Sequence, residues 1–257
     1  MQKQMAVQLC GLLNKLLAWK QSERGIIEVV GIYNHKKLHI KPMVTNQSQN
    51  YISPEEYLKL EELSQVKHEY IQGETYAMVG ATESHVTICV NLVKTLTDHV
   101  RGNSCKLYTG DMKARIESRN IYYYPDVMVS CDERDRAFKS FKKYPCLIIE
   151  VLSKGTEAFD RGDKFADYQE LETLQEYVLI NQKRQRVECF RRNAEGLWVL
   201  YSYTQGSEIH LASVDFRTSM DAIYEDVTFT NESQLAIEIA STQTKSACAD
   251  WRIKWIS

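Results

Sequence analysis

The run Cys146-Leu-Ile-Ile-Glu-Val-Leu-Ser153 constrains the fold more than any other stretch of this 257-residue chain. From Cys146 to Leu152 every residue is apolar except Glu150. A continuous apolar run of this length suits a strand covered on both faces, which requires a sheet with a layer on each side. Strand side chains alternate, so Cys146, Ile148, Glu150 and Leu152 share one face, and Leu147, Ile149 and Val151 share the other. A carboxylate in such a strand is costly unless it is paired or bound to a cation. Two arrangements satisfy it: a metal ligand at a strand end opening into a cleft, or a salt-bridged or edge-exposed glutamate.

The surrounding pattern supplies the rest of an α/β domain. Ser53-Pro54-Glu55-Glu56 reads as a helix start, with Ser53 as N-cap, Pro54 at the first helical position and Glu56 at the capping-box position. Tyr57, Leu60 and Leu63 form its apolar stripe. Residues 67–78 alternate as two strands around a turn at Gln72-Gly73. Residues 83–102 predict an amphipathic helix with Val86, Val90, Val93 and Leu96 inward and Gly102 as its stop. Residues 105–117 and 122–130 suggest two strands, residues 156–171 one helix with Phe165, Tyr168 and Leu171 inward, and residues 176–181 another strand. A hairpin closes across Ala194-Glu195-Gly196. After about Phe229 the pattern fades, apart from one possible helix in Asn231-Glu-Ser-Gln-Leu-Ala-Ile and its continuation.

Residues 1–42 read differently from the remainder. They offer a short amphipathic helix (5–20), which is preferred to a signal peptide because Gln8 and Asn14 interrupt the apolar run. A β-like run at Ile26–Tyr33 and a basic stretch follow, and then a polar linker (45–50). Met43 stands just before that linker, and translation is expected to start there. The expected organisation is therefore an N-terminal extension (1–42), a main domain (43–229) and a C-terminal tail (230–257).

The net charge of −2 removes the argument that a strongly basic chain would give for nucleic-acid binding. Polyanion contacts would have to come from local clusters: Lys139, Lys142 and Lys143, and Lys183, Arg184, Arg186, Arg191 and Arg192. The seven cysteines are odd in number and form no Cys-x-x-Cys, so reduced thiols in a cytoplasm are expected rather than a disulfide scaffold or a zinc site. No stretch has the length and apolarity of a membrane span.

Asp126 is the second carboxylate of interest. Pro125 lacks an N–H and belongs at a strand start, so Asp126 sits at a strand mouth. Two acids converging from neighbouring strands offer the hard oxygen ligands that suit Mg2+ or Mn2+. Metal-dependent hydrolysis also needs a positive group beside the phosphate. Lys154, past the strand end, and Lys164, on the following helix, are the candidates; Lys164 could equally form a surface pair with Asp160 at i−4. His85 could cap a helix or approach the cleft.

These motifs, in this order, resemble a large bacterial family of restriction endonucleases in the PD-(D/E)XK nuclease superfamily. The residues that carry the resemblance are Glu69–Met78 with Ser84-His85, Tyr124–Val129, Leu147–Ser153, Asp160–Lys164 with Tyr168, and Leu174–Asn181. It covers about residues 53–229. It implies a restriction-endonuclease-like α/β core, a mixed β-sheet flanked by helices, with a C-terminal β-hairpin extension. It implies that Asp126, Glu150 and the Val151 carbonyl bind Mg2+ or Mn2+, that Lys164 is a migrated catalytic lysine, and that Glu69 is an additional acid, with Glu74 as the competing choice. Lys154, Arg161 and His85 are the residues placed nearest the substrate. Lys154-Gly155 stands where the family usually has Pro-Ser, so Lys154 could take the role given to Lys164. The activity implied is in-line attack of an activated water on a DNA phosphodiester by a cytoplasmic endonuclease. A homodimer is compatible with cutting both strands. The competing reading is a catalytically idle DNA-binding module that keeps the fold.

Overall fold

A computed structural model describes residues 51–101 and 104–229, all within one unit, Ser48–Ser257. The expected N-terminal extension, the start at Met43, the stop at Gly102 and the C-terminal helix lie outside the described residues.

The chain runs α1 (Pro54–Leu63), β1 (His68–Ile71), β2 (Glu74–Ala77), α2 (Glu83–Val100), β3 (Lys106–Thr109), β4 (Lys113–Ile116), β5 (Ile121–Tyr123) and β6 (Val127–Ser130). It continues through β7 (Phe141–Lys142), β8 (Leu147–Leu152), α3 (Glu157–Arg161), α4 (Asp163–Tyr168), β9 (Glu176–Asn181), β10 (Arg186–Arg192) and β11 (Trp198–Thr204). A last hairpin, β12 (Glu208–Leu211) and β13 (Phe216–Ser219), leads into α5 (Met220–Ile223).

The central sheet has the order β11-β10-β9-β8-β6-β3, and β8 lies in its middle, antiparallel to β6 and parallel to β9. The apolar run becomes a strand with all six residues buried, because both faces are covered. Leu147, Ile149 and Val151 pack with α2 residues Ile88, Leu92 and Leu96 and with the β12–β13 hairpin. Ile148 and Leu152 point the other way, into a core shared with Phe165, Tyr168, Ile116 and Tyr123. Each such side chain withdrawn from water stabilises the fold by about 1.5–3 kcal/mol. The mixed α/β architecture flanked by helices thus follows from a two-sided strand at its centre.

A second sheet, β2-β1-β5-β4-β7, covers the Ile148 side. Its β1–β2 hairpin turns at Gln72 (φ 51°) and Gly73 (φ 104°), where the sequence places it. A Cβ at Gly73 would lie 2.2 Å from the Tyr51 ring.

Several expectations change. Residues 105–117 and 122–130 form four strands, not two, divided between the two sheets. The Thr109–Met112 turn breaks the first stretch, and Pro125, which cannot donate to a ladder, separates β5 from β6. The helix expected over 156–171 divides into α3 and α4 at Gly162. In α1 only Tyr57 is buried, stacked at 4.9 Å on Tyr70, while Leu60 and Leu63 are exposed. In α2 the inward face is Ile88, Leu92, Leu96 and Val100, and Val86 and Val90 are exposed. Asn91 turns inward because its Nδ2 donates to the Ile223 and Glu225 carbonyls at 3.0 and 2.8 Å. The Ala194–Gly196 hairpin is the outer part of the central sheet, and the β12–β13 hairpin beyond it is additional. The reduced-thiol expectation also fails at one place: Cys105 and Cys131 are bridged. The register that pairs Lys106 with Ser130 brings these flanking cysteines face to face.

Candidate active site

Strand pairing brings the two acids together. Val127 pairs with Ile149 in antiparallel register, so Asp126 at the mouth of β6 lies opposite Glu150 in β8. The Val151 N–H donates to Asp126 Oδ2 at 2.7 Å, and the Asp126 N–H points to Glu150 Oε2 at 3.4 Å. The ladder itself therefore holds the pair.

The ammonium comes from α4. Lys164 lies in the first turn of α4, just after the break at Gly162, with its side chain almost fully buried. Its Nζ lies 3.0 Å from Glu150 Oε1, 3.1 Å from Glu69 Oε1 of β1 and 3.7 Å from Asp160 Oδ1. The i−4 pairing of Lys164 with Asp160 exists, but inside the protein rather than on its surface. The Tyr168 hydroxyl, one turn further along α4, donates to Glu150 Oε1 at 3.2 Å.

Three carboxylates thus surround one ammonium in a region largely removed from water, and a fourth, Asp126, stands beside Glu150. Burial pushes the Glu150 carboxyl well above the usual carboxylate range, against the pull of Lys164. Asp160 is raised for the same reason. Burial alone would lower Lys164, but the Glu150, Glu69 and Asp160 carboxylates outweigh it and hold the ammonium charged. A cluster of buried carboxyl oxygens, which a cation would draw into the ionised form, is the donor set that a hard divalent cation takes. Asp126, Glu150 and the Val151 carbonyl fit Mg2+ or Mn2+ in chemical type.

His85, on the first turn of α2, bonds Asp126 Oδ1 through Nε2 at 3.0 Å, and its Nδ1 is buried with no hydrogen-bond partner. Burial works to lower the His85 pKa, but the hydrogen bond to Asp126 raises it on balance. His85, Cys89 and Asp126 offer ligand atoms within 4.8 Å of one another. Burial, with Asp126 and Glu150 nearby, pushes the Cys89 thiol far up, so it is neutral and a poor metal ligand.

The other sequence candidates separate clearly. Glu74 lies in β2 and accepts the Tyr76 hydroxyl at 2.6 Å, away from Lys164; of the two early acids, Glu69 is the one beside the ammonium. Lys154 is exposed beyond the end of β8. Arg161 is engaged by Glu157 at 3.0 Å and by Glu188 at 2.6 Å. The basic clusters are mostly spent on the fold. Lys142 is buried and donates to the Asp135 and Phe138 carbonyls, and Lys143 pairs with Glu117. Arg186 pairs with Glu188 and Arg191 with Glu176. Asp160 and Tyr168 join the site without having been assigned roles from the sequence. Their positions in Asp160-x-x-x-Lys164-x-x-x-Tyr168, one helical turn apart on either side of Lys164, are the signal that could have found them.

The acids line a cleft of about 620 Å³ whose outer wall is made by Val66, Tyr76, Met78 and Val79. Residues 54–221 match the family Uma2, described as "putative restriction endonuclease".

The chain belongs to the Uma2 family.

Two relatives of this Uma2 chain are proteins of Synechocystis sp. (strain ATCC 27184 / PCC 6803 / Kazusa). The uncharacterized protein slr1290 is 39% identical over 178 residues, covering 69% of this chain and 94% of the relative. The uncharacterized protein sll1609 is 36% identical over 147 residues, covering 56% and 83%. The fold is similar to the crystal structure of a "putative nuclease" of DUF820 from Anabaena variabilis ATCC 29413, with a TM-score of 0.57 at 16% identity, covering 69% of this chain and 99% of that one. Uma2 membership supports a nuclease, and the likeness to the solved structure shows the fold. No helix among the described residues is long and apolar enough to cross a membrane.

Proposed function

We propose that this Uma2 chain is a metal-dependent endonuclease that hydrolyses DNA phosphodiester bonds. The observation that carries the reading is the convergence of Glu69, Glu150 and Asp160 on the Lys164 ammonium, with Asp126 held beside Glu150 at the mouths of β6 and β8. A salt bridge that served stability alone would need one acid per ammonium, and extra buried carboxylates would only cost.

Asp126, Glu150 and the Val151 carbonyl would hold Mg2+ or Mn2+. Such an ion supplies Lewis acidity toward a phosphoryl oxygen and lowers the pKa of water beside it. Lys164 supplies the positive charge that stabilises the transition-state phosphate, and Glu69 and Tyr168 hold that ammonium and Glu150 in place. His85 orients Asp126 through the 3.0 Å bond. No protein nucleophile is required.

The test is cleavage of plasmid and single-stranded DNA with Mn2+ or Mg2+, comparing wild type with Asp126→Ala, Glu150→Ala and Lys164→Ala. Activity in wild type that each substitution removes supports the reading. Equal activity in all four proteins would mean a contaminating nuclease and would end it.

A further inference from the structure

Three features of the cleft bear on which form of DNA could enter it. The first is depth. Glu150, Asp160 and Lys164 are all nearly fully buried, at the base of a cleft of about 620 Å³. That volume is in the range of pockets that engulf a small molecule, about 300–1,000 Å³. A rigid duplex presents its phosphates on the outside of a wide rod, whereas an unpaired strand can lead one nucleotide inward.

The second feature is charge. The cleft is lined by four carboxylates, Glu69, Asp126, Glu150 and Asp160, and by two lysines, Lys67 and Lys164. Both lysines are engaged: Lys164 by the acids, and Lys67 by Asp111 at 2.5 Å. Both forms of DNA draw on free cations that neutralise phosphates and release counterions, the duplex more steeply than the single strand. This cleft has few to offer.

The third feature is the wall. Tyr76 pairs directly opposite Glu69 across the β1–β2 hairpin, so both side chains emerge on the same side of that sheet. The Tyr76 side chain is exposed, at 48%, on a strand at the sheet edge, and Met78 and Val79 extend the apolar surface outward. An exposed aromatic opposite Glu69, which holds the Lys164 ammonium, offers a stacking platform for a base, and stacking needs no cation.

We infer that the cleft takes an unpaired DNA strand, with a base laid on the Tyr76 ring and the Met78–Val79 wall while the adjoining phosphate reaches the acid group. The inference rests on the nuclease reading and narrows it: the preferred substrates are single strands, frayed ends and unpaired bubbles.

The experiment uses the full chain and three oligonucleotides of one sequence: a single strand, a perfect duplex, and a duplex with a central unpaired bubble. Cleavage with Mn2+ is measured for wild type, Tyr76→Ala and Tyr76→Phe, with thermal melting to check folding and Glu150→Ala as the inactive control. The expected result is a kcat/KM about tenfold or more higher on the single strand and the bubble than on the duplex. Tyr76→Ala should lower kcat/KM on the single strand by about tenfold, chiefly through KM, and Tyr76→Phe, which keeps the ring, should retain it. Duplex cut as fast as single strand, or a Tyr76→Ala protein that cuts like wild type, would overturn the inference while leaving the nuclease reading intact. If wild type cuts none of the three, the nuclease reading falls. Fluorescence anisotropy on the same oligonucleotides then decides the docking: single-strand preference lost in Tyr76→Ala sustains it, and equal affinity for duplex sinks it.

Discussion

Lys164 and Glu150 are both buried and bonded to each other, yet removing either should have opposite consequences for stability. Lys164→Ala leaves Glu69, Glu150 and Asp160 uncompensated, so we expect a loss of about 3–5 kcal/mol in chemical denaturation. Glu150→Gln relieves repulsion among the carboxylates and keeps the side-chain shape, so the metal-free protein should melt at or above the wild-type temperature while losing activity. The pH dependence follows from the raised Glu150 pKa. The folded state holds that proton more tightly than the unfolded chain, so Glu150 costs stability increasingly as pH rises above the ordinary glutamate value of 4.5. Lys164 stays charged throughout that range. The melting advantage of Glu150→Gln over wild type should therefore be largest at neutral pH and shrink toward 4.5; an advantage that grows on acidification would contradict the assigned direction. At this scale much could be read from the chain. Glu150 stands out because every neighbour in its strand is apolar, and Asp126 because Pro125 fixes where its strand begins. Glu69 was reached only through the family resemblance, with Glu74 as its competitor, since residues 69 and 164 come from different layers and only the packing of α4 on the sheet makes them neighbours.

Elements that are defined by local chemistry were legible, and those defined by their partners were not. The Gln72-Gly73 turn needs positive φ at two successive positions, a requirement written into the residues themselves. Gly73→Ala combines that strain with a clash on Tyr51 and should cost about 1–3 kcal/mol, measured by urea titration. In α2, by contrast, Val86 and Val90 are as apolar as Ile88 and Leu92. Hydrophobicity cannot choose between two overlapping stripes; the β12–β13 layer and the Asn91 bonds do. Leu92→Ala should cost about 2–5 kcal/mol, while Val90→Lys should cost almost nothing by the same measurement. The break at Gly162 was missed because glycine inside a helical pattern is tolerated often enough to be read through.

For the whole molecule, the two-sided central sheet was implied by a single apolar run, and the covering layers followed from it. The cysteine bridge was not implied, because pairing depends on strand register and Cys105 and Cys131 are far apart in sequence. The same frame makes metal loading a measurable property of the fold. An ion held by the folded state alone raises its stability by about 2.7 kcal/mol at a hundredfold excess over Kd. We expect Mn2+ to raise the melting temperature of wild type and to leave Asp126→Ala unmoved; an equal shift in both would place the ion elsewhere. The outer strand of the central sheet carries one more consequence. From Trp198 to Thr204, β11 contains no charge and no proline, Val199, Leu200 and Tyr201 are exposed, and among the described residues no strand lies beyond it. Unsatisfied amides along so sticky a border are a template for accretion, so crowded solutions of this protein should drift toward aggregates, and a lysine at Leu200 should keep them clear.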